Sequence, residues 1–507
     1  MVANIKSIAV NWINSSIIDV EVDINNWLPS FTIVWLPDQW VQESKERIRS
    51  ALRSSWWKIP SSKIIVNLAP ADIRKSWPSF DLSIAIWILI WDDRISWLDI
   101  LEESVFIWEL SLDWNLRRVN SVLPATIWAR DAWFKRIFVP IENSKEASII
   151  SDIDVIPVEN LSEVIWFLNW TKELNICEKL DFWSINSTNS KYDFKYILWQ
   201  NHTKRALEIS ASWWHNILMN WPPWSWKTML SKAYSTILPD LEIDEAVEIS
   251  KIYSIAGLLN SDNPLVSKRP FRAIHHTASS ASIIWWWRNA KPWEISLSHK
   301  WVLFLDELLE FNKNVLEILR QPLEDWTITV NRVNASFEYP ADFTLVWAMN
   351  PCPCWYLTDP DKRCVCSDYQ INNYKRKLSW PLLDRIDLFV EVPKVEIEKL
   401  SCSNELSESS SEIKKRVMKA RNIQLNRFLW LWIKSNSEMS PKEIKEFCEL
   451  SDDCNLIMKQ AIANMNLSAR SYYRIIKLAR TIADLAGEDA ISKNHILEAL
   501  SYRKNEW

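Results

Sequence analysis

The chain has 507 residues, a net charge of -5 and 24% charged residues, a balance typical of a globular protein with several domains. The acidic excess excludes a protein coated in basic residues for nucleic acid, although it is compatible with a local basic pore. There is no signal-peptide pattern, and the longest apolar run, Leu82 to Trp91, is far shorter than the roughly 18 residues of a membrane span, so we expect a cytoplasmic protein without a membrane partner.

The composition is unusual because the chain has only 2 glycines but 35 tryptophans. Together they make up about 7% of the sequence, the share that glycine alone normally has. Several tryptophans stand in segments such as LEDWT and SWWH, where a turn needs glycine. We therefore interpret most or all of them as glycines from a genome in which UGA encodes glycine. The alternative is a protein with 35 genuine tryptophans.

Residues 1–172 alternate β-rich runs with helical patterns, which predicts one α/β domain. The runs SIIDVEVDI, FTIVW, KIIVNLA and RIFVP are typical of strands, and VQESKERIRSALRSS is typical of a helix. Residues 173–192 lose this periodicity and gain Ser and Asn, so they are predicted to be a linker.

The αβ alternation returns at residue 193, and its first motif has the frame of a phosphate-binding P-loop. A strand pattern, HNILMN, precedes the loop, and a helical pattern, KTMLSKAYS, follows it. In this frame the Lys227 ammonium reaches the β and γ phosphates of ATP, and the Thr228 hydroxyl is a ligand of Mg²⁺. The other loop residues would surround the phosphates with backbone N–H groups: Trp221, Pro222, Pro223, Trp224, Ser225 and Trp226. Three indoles would fill this space, so the motif makes sense only if they are glycines.

A Walker B pattern follows downstream, where the buried-type strand Val302 to Leu305 ends in two carboxylates. Asp306 would hold the magnesium shell, and Glu307 would polarise the attacking water. Acidic residues at a strand end are common, so the assignment depends on the P-loop that precedes it. A third strand, FTLVWAMN, ends in Asn350, whose amide is suited to positioning that water.

Four of the eight cysteines form two C-x-C pairs separated by nine residues: Cys352, Cys354, Cys364 and Cys366. Four thiolates on one short loop could surround Zn²⁺ tetrahedrally and staple the loop that follows Asn350. The usual zinc-knuckle spacing is C-x-x-C, so reduced structural thiols remain the alternative.

Two further segments of residues 193–398 carry basic groups. The first lies between the P-loop and Walker B and holds Arg288, Lys291 and Lys300. The second, DWTITVNRVNASFEYP, alternates as a β-hairpin with Arg332 near its tip.

A second polar break, residues 399–412, separates residues 193–398 from a strongly helical segment, residues 413–507. Two arginines lie in the segments on either side of this break. Arg385 lies in SWPLLDRIDL, and Arg470 lies in NLSARSYYRI.

The order and the sequences of these motifs closely resemble those of the Mg-chelatase-like AAA+ ATPases of the YifB and ComM family. The resemblance is carried by WHNILMNWPPWSWKTML, WVLFLDELLEF, AMNPCPCW and SWPLLDRIDL, and it covers nearly the whole chain when Trp is read as Gly. It implies a P-loop AAA+ core over residues 193–398 and a C-terminal helical lid over 413–507. It also implies that Asn350 is sensor 1, Arg470 is sensor 2, and Arg385 is an arginine finger that acts in trans. A finger in trans implies a homo-oligomeric ring, expected to be a hexamer. The resemblance further places the segments with Arg288, Lys291, Lys300 and Arg332 in the central channel of that ring, where they would follow the phosphate backbone of single-stranded DNA. Solvated surface loops without a role in binding are the alternative.

Residues 1–172 resemble the Lon-type proteases, whose domain has a ribosomal S5 domain 2-like fold. The segment IRKSWPSFDLSIAIW puts Ser79 at the position of the catalytic serine, but Ala125 stands where the Lon lysine would be. A Ser-Lys mechanism needs that lysine as a base. The resemblance therefore implies a Lon-like domain without peptidase activity.

The function implied by the resemblance is ATP-driven helicase and branch-migration activity on single-stranded or branched DNA during transformation, with ATP and Mg²⁺ as cofactors. Two alternatives remain. One is the motor subunit of a magnesium chelatase, which would need separate porphyrin-binding subunits. The other is an ATP-dependent Lon-like protease, which Ala125 argues against.

Overall fold

A computed structural model describes residues 5–11, 14–25, 28–34, 39–54, 62–69, 80–91, 99–111, 115–169, 175–179, 192–221, 227–260, 262–269, 271–274, 294–332, 335–359, 361–393, 407–431, 433–465 and 467–503. The chain forms two compact units. The first comprises Met1–Asn186 and Glu242–Ser267, and the second comprises Ser187–Leu241 and Lys268–Trp507. Within the described ranges, no helix has both the length and the apolar character needed to cross a membrane.

Strands and helices alternate through most of the chain. The strands are β1 (Ile5–Asn11), β2 (Asn14–Asn25), β3 (Ser30–Val34), β4 (Lys63–Ala69), β5 (Ser104–Phe106), β6 (Glu109–Leu110), β7 (Leu116–Arg117), β8 (Arg136–Pro140), β9 (Asp154–Val158), β10 (Ile217–Asn220), β11 (Phe271–Ile274), β12 (Trp301–Leu305), β13 (Thr327–Arg332), β14 (Ala335–Pro340), β15 (Phe343–Met349) and β16 (Leu388–Glu391). The helices are α1 (Gln39–Ser54), α2 (Asp81–Trp91), α3 (Asp99–Glu102), α4 (Val122–Asp131), α5 (Ser144–Ala147), α6 (Leu161–Leu168), α7 (Asn201–Trp213), α8 (Lys227–Ile237), α9 (Ile243–Ala256), α10 (Glu294–Leu297), α11 (Lys313–Ile318), α12 (Pro322–Asp325), α13 (Asp368–Lys375), α14 (Trp380–Leu383), α15 (Ser410–Arg427), α16 (Pro441–Phe447), α17 (Asp452–Met465), α18 (Ala469–Ala486) and α19 (Lys493–Ser501).

The first unit is built around two sheets and a short ribbon of β6 and β7. The larger sheet has the order β1-β2-β4-β3, in which only β3 and β4 are parallel. Along β4, Ile64, Val66 and Leu68 are buried and alternate with half-buried residues, because successive side chains point to opposite faces of a sheet. The smaller sheet, β5-β8-β9, is parallel. The α/β character predicted for this region is confirmed, whereas the Lon-like fold stays a prediction.

The longest apolar run of the sequence forms α2, a helix buried on all sides. Every residue from Asp81 to Ile90 is buried. At its first turn the Asp81 carboxylate accepts a hydrogen bond from Arg47 Nε over 2.8 Å. Burial nevertheless raises the pKa of Asp81. The run is therefore a core helix of the first unit.

Residues 242–267 follow the P-loop helix in the chain, yet they belong to the first unit. Their helix α9 ends at Gly257, whose φ of 73° is a left-handed conformation that glycine adopts at little cost. The buried Glu146 carboxylate accepts hydrogen bonds from the Leu123 backbone N–H, over 3.2 Å, and from the Ser254 hydroxyl. A segment predicted to lie within the ATPase domain thus packs in the unit that contains the N-terminal strands.

The second unit contains a five-stranded sheet of order β11-β12-β15-β10-β16. Each of its neighbouring pairs is parallel. All residues of β12 and β15 are buried, as expected for a parallel sheet covered on both faces. The strands predicted from HNILMN, WVLFL and FTLVWAM are confirmed as β10, β12 and β15.

The C-terminal part of the second unit is helical from α15 to α19. Several of these helices begin with a capping box, in which a serine and a residue three positions later satisfy each other's backbone N–H groups. The backbone N–H of Phe389 in β16 donates to the carbonyl oxygen of Tyr502 over 2.8 Å. The predicted helical character is confirmed, and its role as a lid stays a prediction.

The backbone gives independent support for glycine at several tryptophan positions. Of the nine non-glycine residues with positive φ in the described ranges, five are tryptophans: Trp133, Trp199, Trp214, Trp326 and Trp355. A bulky residue is strained in this region, and glycine is not. In addition, four buried indole N–H groups meet no acceptor among the described residues: Trp108, Trp213, Trp221 and Trp347. Two of the positive φ angles fall in SWWH and LEDWT, the segments where the sequence predicts glycine turns.

Candidate functional site

Three parallel strands bring the predicted nucleotide-binding residues to one edge of the second unit's sheet. β15 lies between β12 and β10, with Leu305 beside Trp347 and Asn220 beside Met349. The P-loop follows β10, Asp306 and Glu307 follow β12, and Asn350 follows β15. Ligands of open parallel sheets bind outside the carboxyl ends of the strands, so this edge is the candidate nucleotide site.

The Walker B carboxylates stand at a sharp turn of the backbone. Glu307 has a φ of 53°, and its backbone N–H donates to Asp306 Oδ1 over 2.9 Å. Both residues are half-buried, and Asn350 is buried, with 4% of its surface exposed. The Lys377 ammonium donates to the Leu309 carbonyl oxygen over 2.6 Å, which fixes the turn that follows Glu307. The predicted carboxylate pair and the sensor amide therefore lie at the ends of two adjacent strands.

The P-loop itself is described only at its two ends, because Pro222, Pro223, Trp224, Ser225 and Trp226 lie outside the described residues. At its start, the Trp221 backbone N–H donates to the Met349 carbonyl oxygen over 2.9 Å, and the Trp221 side chain is fully buried. At its end, α8 begins with Lys227 and Thr228. A helix N-terminus presents unpaired N–H groups and a partial positive charge, which suits phosphate.

These residues fit ATP and Mg²⁺ by the chemistry of their donors. A carboxylate at Asp306 and a hydroxyl at Thr228 are hard oxygen ligands of the kind that Mg²⁺ prefers. The start of α8 lies on the carboxyl side of β10, the same side as Asp306. The fit of the phosphates also requires glycine at the printed tryptophans of the loop.

The two predicted arginines lie at the opposite edge of this sheet. Arg385 precedes β16, and its carbonyl oxygen accepts a hydrogen bond from Asn216 Nδ2 over 3.1 Å. Asn216 precedes β10, and its Oδ1 accepts from the Leu345 backbone N–H over 2.9 Å. Because β10 has four residues at about 3.3 Å each and Asn216 directly precedes it, roughly 15 Å separates Asn216 from the start of the P-loop.

Arg385 and Arg470 come together at one carboxylate that the sequence did not single out. Glu324, in the single turn α12, accepts ion pairs at Oε1 from Arg385 and, over 3.3 Å, from Arg470. Arg470 also lies 3.7 Å from Asp384. Burial lowers the pKa of Arg385 to about 10, and three neighbouring charges act in the same direction: Arg470, Arg320 and Arg474. The only signal for Glu324 in the sequence is its place just before a predicted glycine turn.

The four cysteines of the C-x-C pairs form one cluster after β15. The Sγ atoms of Cys352, Cys354, Cys364 and Cys366 all lie within 4.8 Å of one another. Burial raises the pKa of Cys352 to about 12. For Cys354, burial acts upward, but backbone N–H groups of Tyr356 and Val365 prevail and lower its pKa to about 6. The predicted convergence of four thiols is observed, and a bound zinc ion stays a prediction.

The predicted DNA-contact residues are described in part. Arg288 and Lys291 lie outside the described residues. Lys300 directly precedes β12 and forms an ion pair with Asp342 over 2.6 Å. The predicted hairpin is confirmed as β13 and β14, and Arg332 is the last residue of β13, opposite Ala335. Contact with DNA stays a prediction at all four positions.

The Lon-like positions are also described in part. Ser79 lies outside the described residues. Ala125 lies within α4 and is fully buried. Its methyl group cannot act as the base of a Ser-Lys mechanism, which supports the predicted loss of peptidase activity. That loss stays a prediction.

Family models for magnesium chelatase match three segments of the chain. The model for magnesium chelatase, subunit ChlI, matches residues 193–400. A model for subunit ChlI of Mg-chelatase matches residues 20–143, and the model for the ChlI C-terminal region matches residues 407–503.

Curated relatives match over nearly their whole length. The chain is 39% identical to the competence protein ComM of Haemophilus influenzae over 494 residues, which cover 97% of this chain and 95% of that protein. It is 37% identical to YifB of Salmonella typhimurium and 36% identical to YifB of Escherichia coli, with the same coverage of both chains. The chain therefore belongs to the Mg-chelatase-like family of YifB and ComM proteins.

Proposed function

We propose that this protein is an ATP-hydrolysing hexameric motor that acts on DNA, as a helicase and branch-migration factor of the ComM type. The observation that supports it most is the distance between two sets of side chains in the second unit. Glu307 and Asn350 lie at one edge of the parallel sheet, and Arg385 lies at the other. An arginine so placed cannot reach the nucleotide of its own subunit, but it can complete the site of a neighbour. Such a head-to-tail interface generates a ring.

In this proposal the residues at the carboxyl edge bind and orient ATP. Lys227 neutralises the β and γ phosphates, while Thr228 and Asp306 hold Mg²⁺, which supplies charge stabilisation when bound. Glu307 orients and polarises the attacking water, and Asn350 fixes that water beside the γ-phosphate. The loop from 221 to 226 supplies backbone N–H groups to the phosphates.

Arg385 and Arg470 then act together on the ATP of the adjacent subunit. The shared ion pair with Glu324 keeps the two guanidinium groups adjacent. Charge that develops on the transferring phosphoryl group is stabilised by such arginines, an effect worth about 10³- to 10⁵-fold in kcat. The same interaction makes hydrolysis depend on ring assembly.

DNA is the proposed substrate because of the basic groups near the predicted channel and the similarity to a competence protein. The hairpin β13–β14 carries Arg332 at its end, and the preceding loop carries Arg288 and Lys291. Arginine and lysine side chains attract phosphates without regard to sequence, as a translocating motor needs.

A magnesium-chelatase motor is the second candidate, and the family models named for subunit ChlI favour it. One assay separates the candidates. ATP hydrolysis by the purified full-length protein is measured alone, with forked or single-stranded DNA, with a porphyrin plus chelatase partner subunits, and with unfolded casein. We expect stimulation by DNA. Stimulation by the porphyrin with its partner subunits, and not by DNA, would favour the chelatase, and casein cleavage would favour a protease.

We also propose that Cys352, Cys354, Cys364 and Cys366 bind one structural Zn²⁺. Their mutual distances suit a tetrahedral thiolate site, and the residue set leaves no position for water. The ion would join the end of β15, which carries Asn350, to the loop that leads into α13. It would thereby stiffen the segment behind the attacking water.

A further inference from the structure

Glu324 occupies an unusual position between two arginines of different elements. Its Oε1 atom is the shared acceptor for Arg385, which precedes β16, and for Arg470, in the first turn of α18. The side chain of Arg385 is almost fully buried, whereas that of Arg470 is 49% exposed. One carboxylate therefore links an arginine of the sheet to an arginine of the helical region.

The two arginines would be held less closely without this carboxylate, although Arg470 would keep its longer contact with Asp384 over 3.7 Å. Like charges repel at short range, and Arg320 and Arg474 add positive charge nearby. The Nε atom of Arg385 is buried and meets no acceptor within the described residues, so the Glu324 ion pair and a hydrogen bond to the Pro381 carbonyl oxygen hold its guanidinium. Removing the negative charge would leave Arg385 less well fixed, and Arg470 would be held only by its longer contact with Asp384 and no longer by the carboxylate that it shares with Arg385.

The position of Glu324 in the fold also couples it to the hairpin. Only Asp325 and Trp326 separate Glu324 from β13, which begins at Thr327. Trp326 has a φ of 56°, and its carbonyl oxygen accepts from the Ala341 backbone N–H over 2.7 Å. The carboxylate is thus attached directly to the base of the predicted DNA hairpin.

We propose that Glu324 is a positioning residue that holds Arg385 and Arg470 together for the nucleotide of the adjacent subunit. This inference rests on the proposed function, in which both arginines act in trans. Glu324 itself touches neither nucleotide nor Mg²⁺. Its contribution is to fix the spacing of two guanidinium groups and to link that spacing to the hairpin.

Three full-length proteins made with the host's codon assignment test this: wild type, Glu324→Gln and the control Asp325→Asn. Asp325 is the next, exposed residue of the same turn. We expect Glu324→Gln to lower kcat for ATP by about 10- to 100-fold, as misplaced catalytic groups do, with KM within about twofold. The control should retain wild-type kcat. Equal kcat for both variants would overturn the proposal.

Mixed rings test whether the effect passes between subunits. Wild-type protein is mixed with an excess of Lys227→Ala protein, or of the double variant Lys227→Ala and Glu324→Gln. The single variant still offers its arginines to a wild-type neighbour, so activity per wild-type subunit should be at least about threefold higher than with the double variant. Equal activities would overturn the proposal. If Glu324→Gln lowers the melting temperature, Glu324→Asp is used instead. This variant keeps the charge but shortens the side chain, so a lowered kcat is expected, and a wild-type kcat would overturn the proposal.

The wild-type and Lys227→Ala proteins separate this proposal from the proposed function. Absence of ATPase activity in the wild type, or full activity in Lys227→Ala, would refute the motor itself. An active wild type, an inactive Lys227→Ala and an unaffected Glu324→Gln would refute only the role of Glu324.

Discussion

Asn216 donates a hydrogen bond from Nδ2 to the carbonyl oxygen of Arg385 over 3.1 Å. Because Asn216 lies directly before β10, this bond fixes Arg385 at the amino edge of the sheet, while the P-loop leaves β10 at the carboxyl edge. The predicted nucleotide-binding groups thus lie on one side of the sheet and Arg385 lies on the other. This polarity is what the proposed head-to-tail ring requires.

The charge network around Asp387 makes the amino edge sensitive to mutation. The Asp387 carboxylate accepts from the Asn216 backbone N–H over 3.1 Å and pairs with Arg474 over 3.0 Å. We expect Asp387→Asn to reduce the free energy of unfolding by about 2 kcal/mol, because it leaves the half-buried Arg474 without its charged partner. Denaturant unfolding monitored by circular dichroism measures this loss, and a loss under about 1 kcal/mol would contradict it.

The same carboxylate sets a pH dependence with a definite sign. Burial raises its pKa, but Arg474 and His215 prevail and hold the pKa of Asp387 far below its ordinary value. A depressed pKa stabilises the fold above the unfolded-state value, about 3.9, and this stabilisation is lost as the pH falls toward the folded-state pKa. The difference between wild type and Asp387→Asn should therefore stay constant from pH 7 to about pH 4 and shrink only below it. A difference that disappears between pH 7 and pH 5 would contradict this.

Replacing tryptophan by glycine should change the free energy of unfolding with opposite sign at a left-handed position and inside a helix. In protein made with tryptophan codons, Trp326→Gly should raise the free energy of unfolding by about 1 kcal/mol, because a left-handed φ of 56° strains an indole residue. Trp166→Gly is the control, since Trp166 lies within helix α6, where glycine costs about 1 kcal/mol.

Mass spectrometry of peptides from the native organism tests the identity of these residues directly. Tryptophan at residues 221, 224 and 226 of the native protein would refute the recoding.

The cysteine cluster predicts a metal-dependent stability. The purified protein should contain about one zinc ion per chain, and Cys364→Ser should release it and lower the melting temperature. Cys448→Ser is the control, because Cys448 is buried but lies outside the cluster. Zinc is counted by a colorimetric chelator after denaturation. A protein that contains no metal, with a melting temperature unaffected by either chelator or Cys364→Ser, would contradict the site.

The proposed DNA hairpin predicts a change in salt dependence. Arg332→Ala should weaken binding of single-stranded DNA and reduce the slope of log K against log salt by about 1, since one phosphate contact is lost. The exposed Lys313→Ala, which removes the same charge from α11, should leave the slope unchanged. Fluorescence anisotropy over a range of salt concentrations measures both. Identical slopes for Arg332→Ala and wild type would contradict the contact.

Local patterns were sufficient for much of the fold and the site. The strands that end in Asn220, Leu305 and Met349 are continuous apolar runs, and their common edge follows from parallel pairing. The cysteine cluster follows from close spacing along the chain. In each of these cases the residues that matter are near one another in sequence or at equivalent strand ends.

Contacts between distant segments could not be read from such patterns. The packing of α9 in the first unit depends on a hydrogen bond between Ser254 and Glu146, which are 108 residues apart. The bridge from Glu324 to Arg470 spans 146 residues. An exposed glutamate in a short turn carries no distinctive sequence signal, so the role proposed for Glu324 could be inferred only from its contacts with Arg385 and Arg470.

The claim that one subunit's arginines complete the next subunit's nucleotide site can be tested by mixing two inactive proteins. Lys227→Ala protein lacks its own site but keeps Arg385, whereas Arg385→Ala protein keeps its site but lacks the finger. Each alone should lose ATPase activity. Random co-assembly would restore both groups at about a quarter of the interfaces, so the equimolar mixture should recover activity in that proportion. A mixture as inactive as its components, with rings shown to contain both chains, would contradict the account.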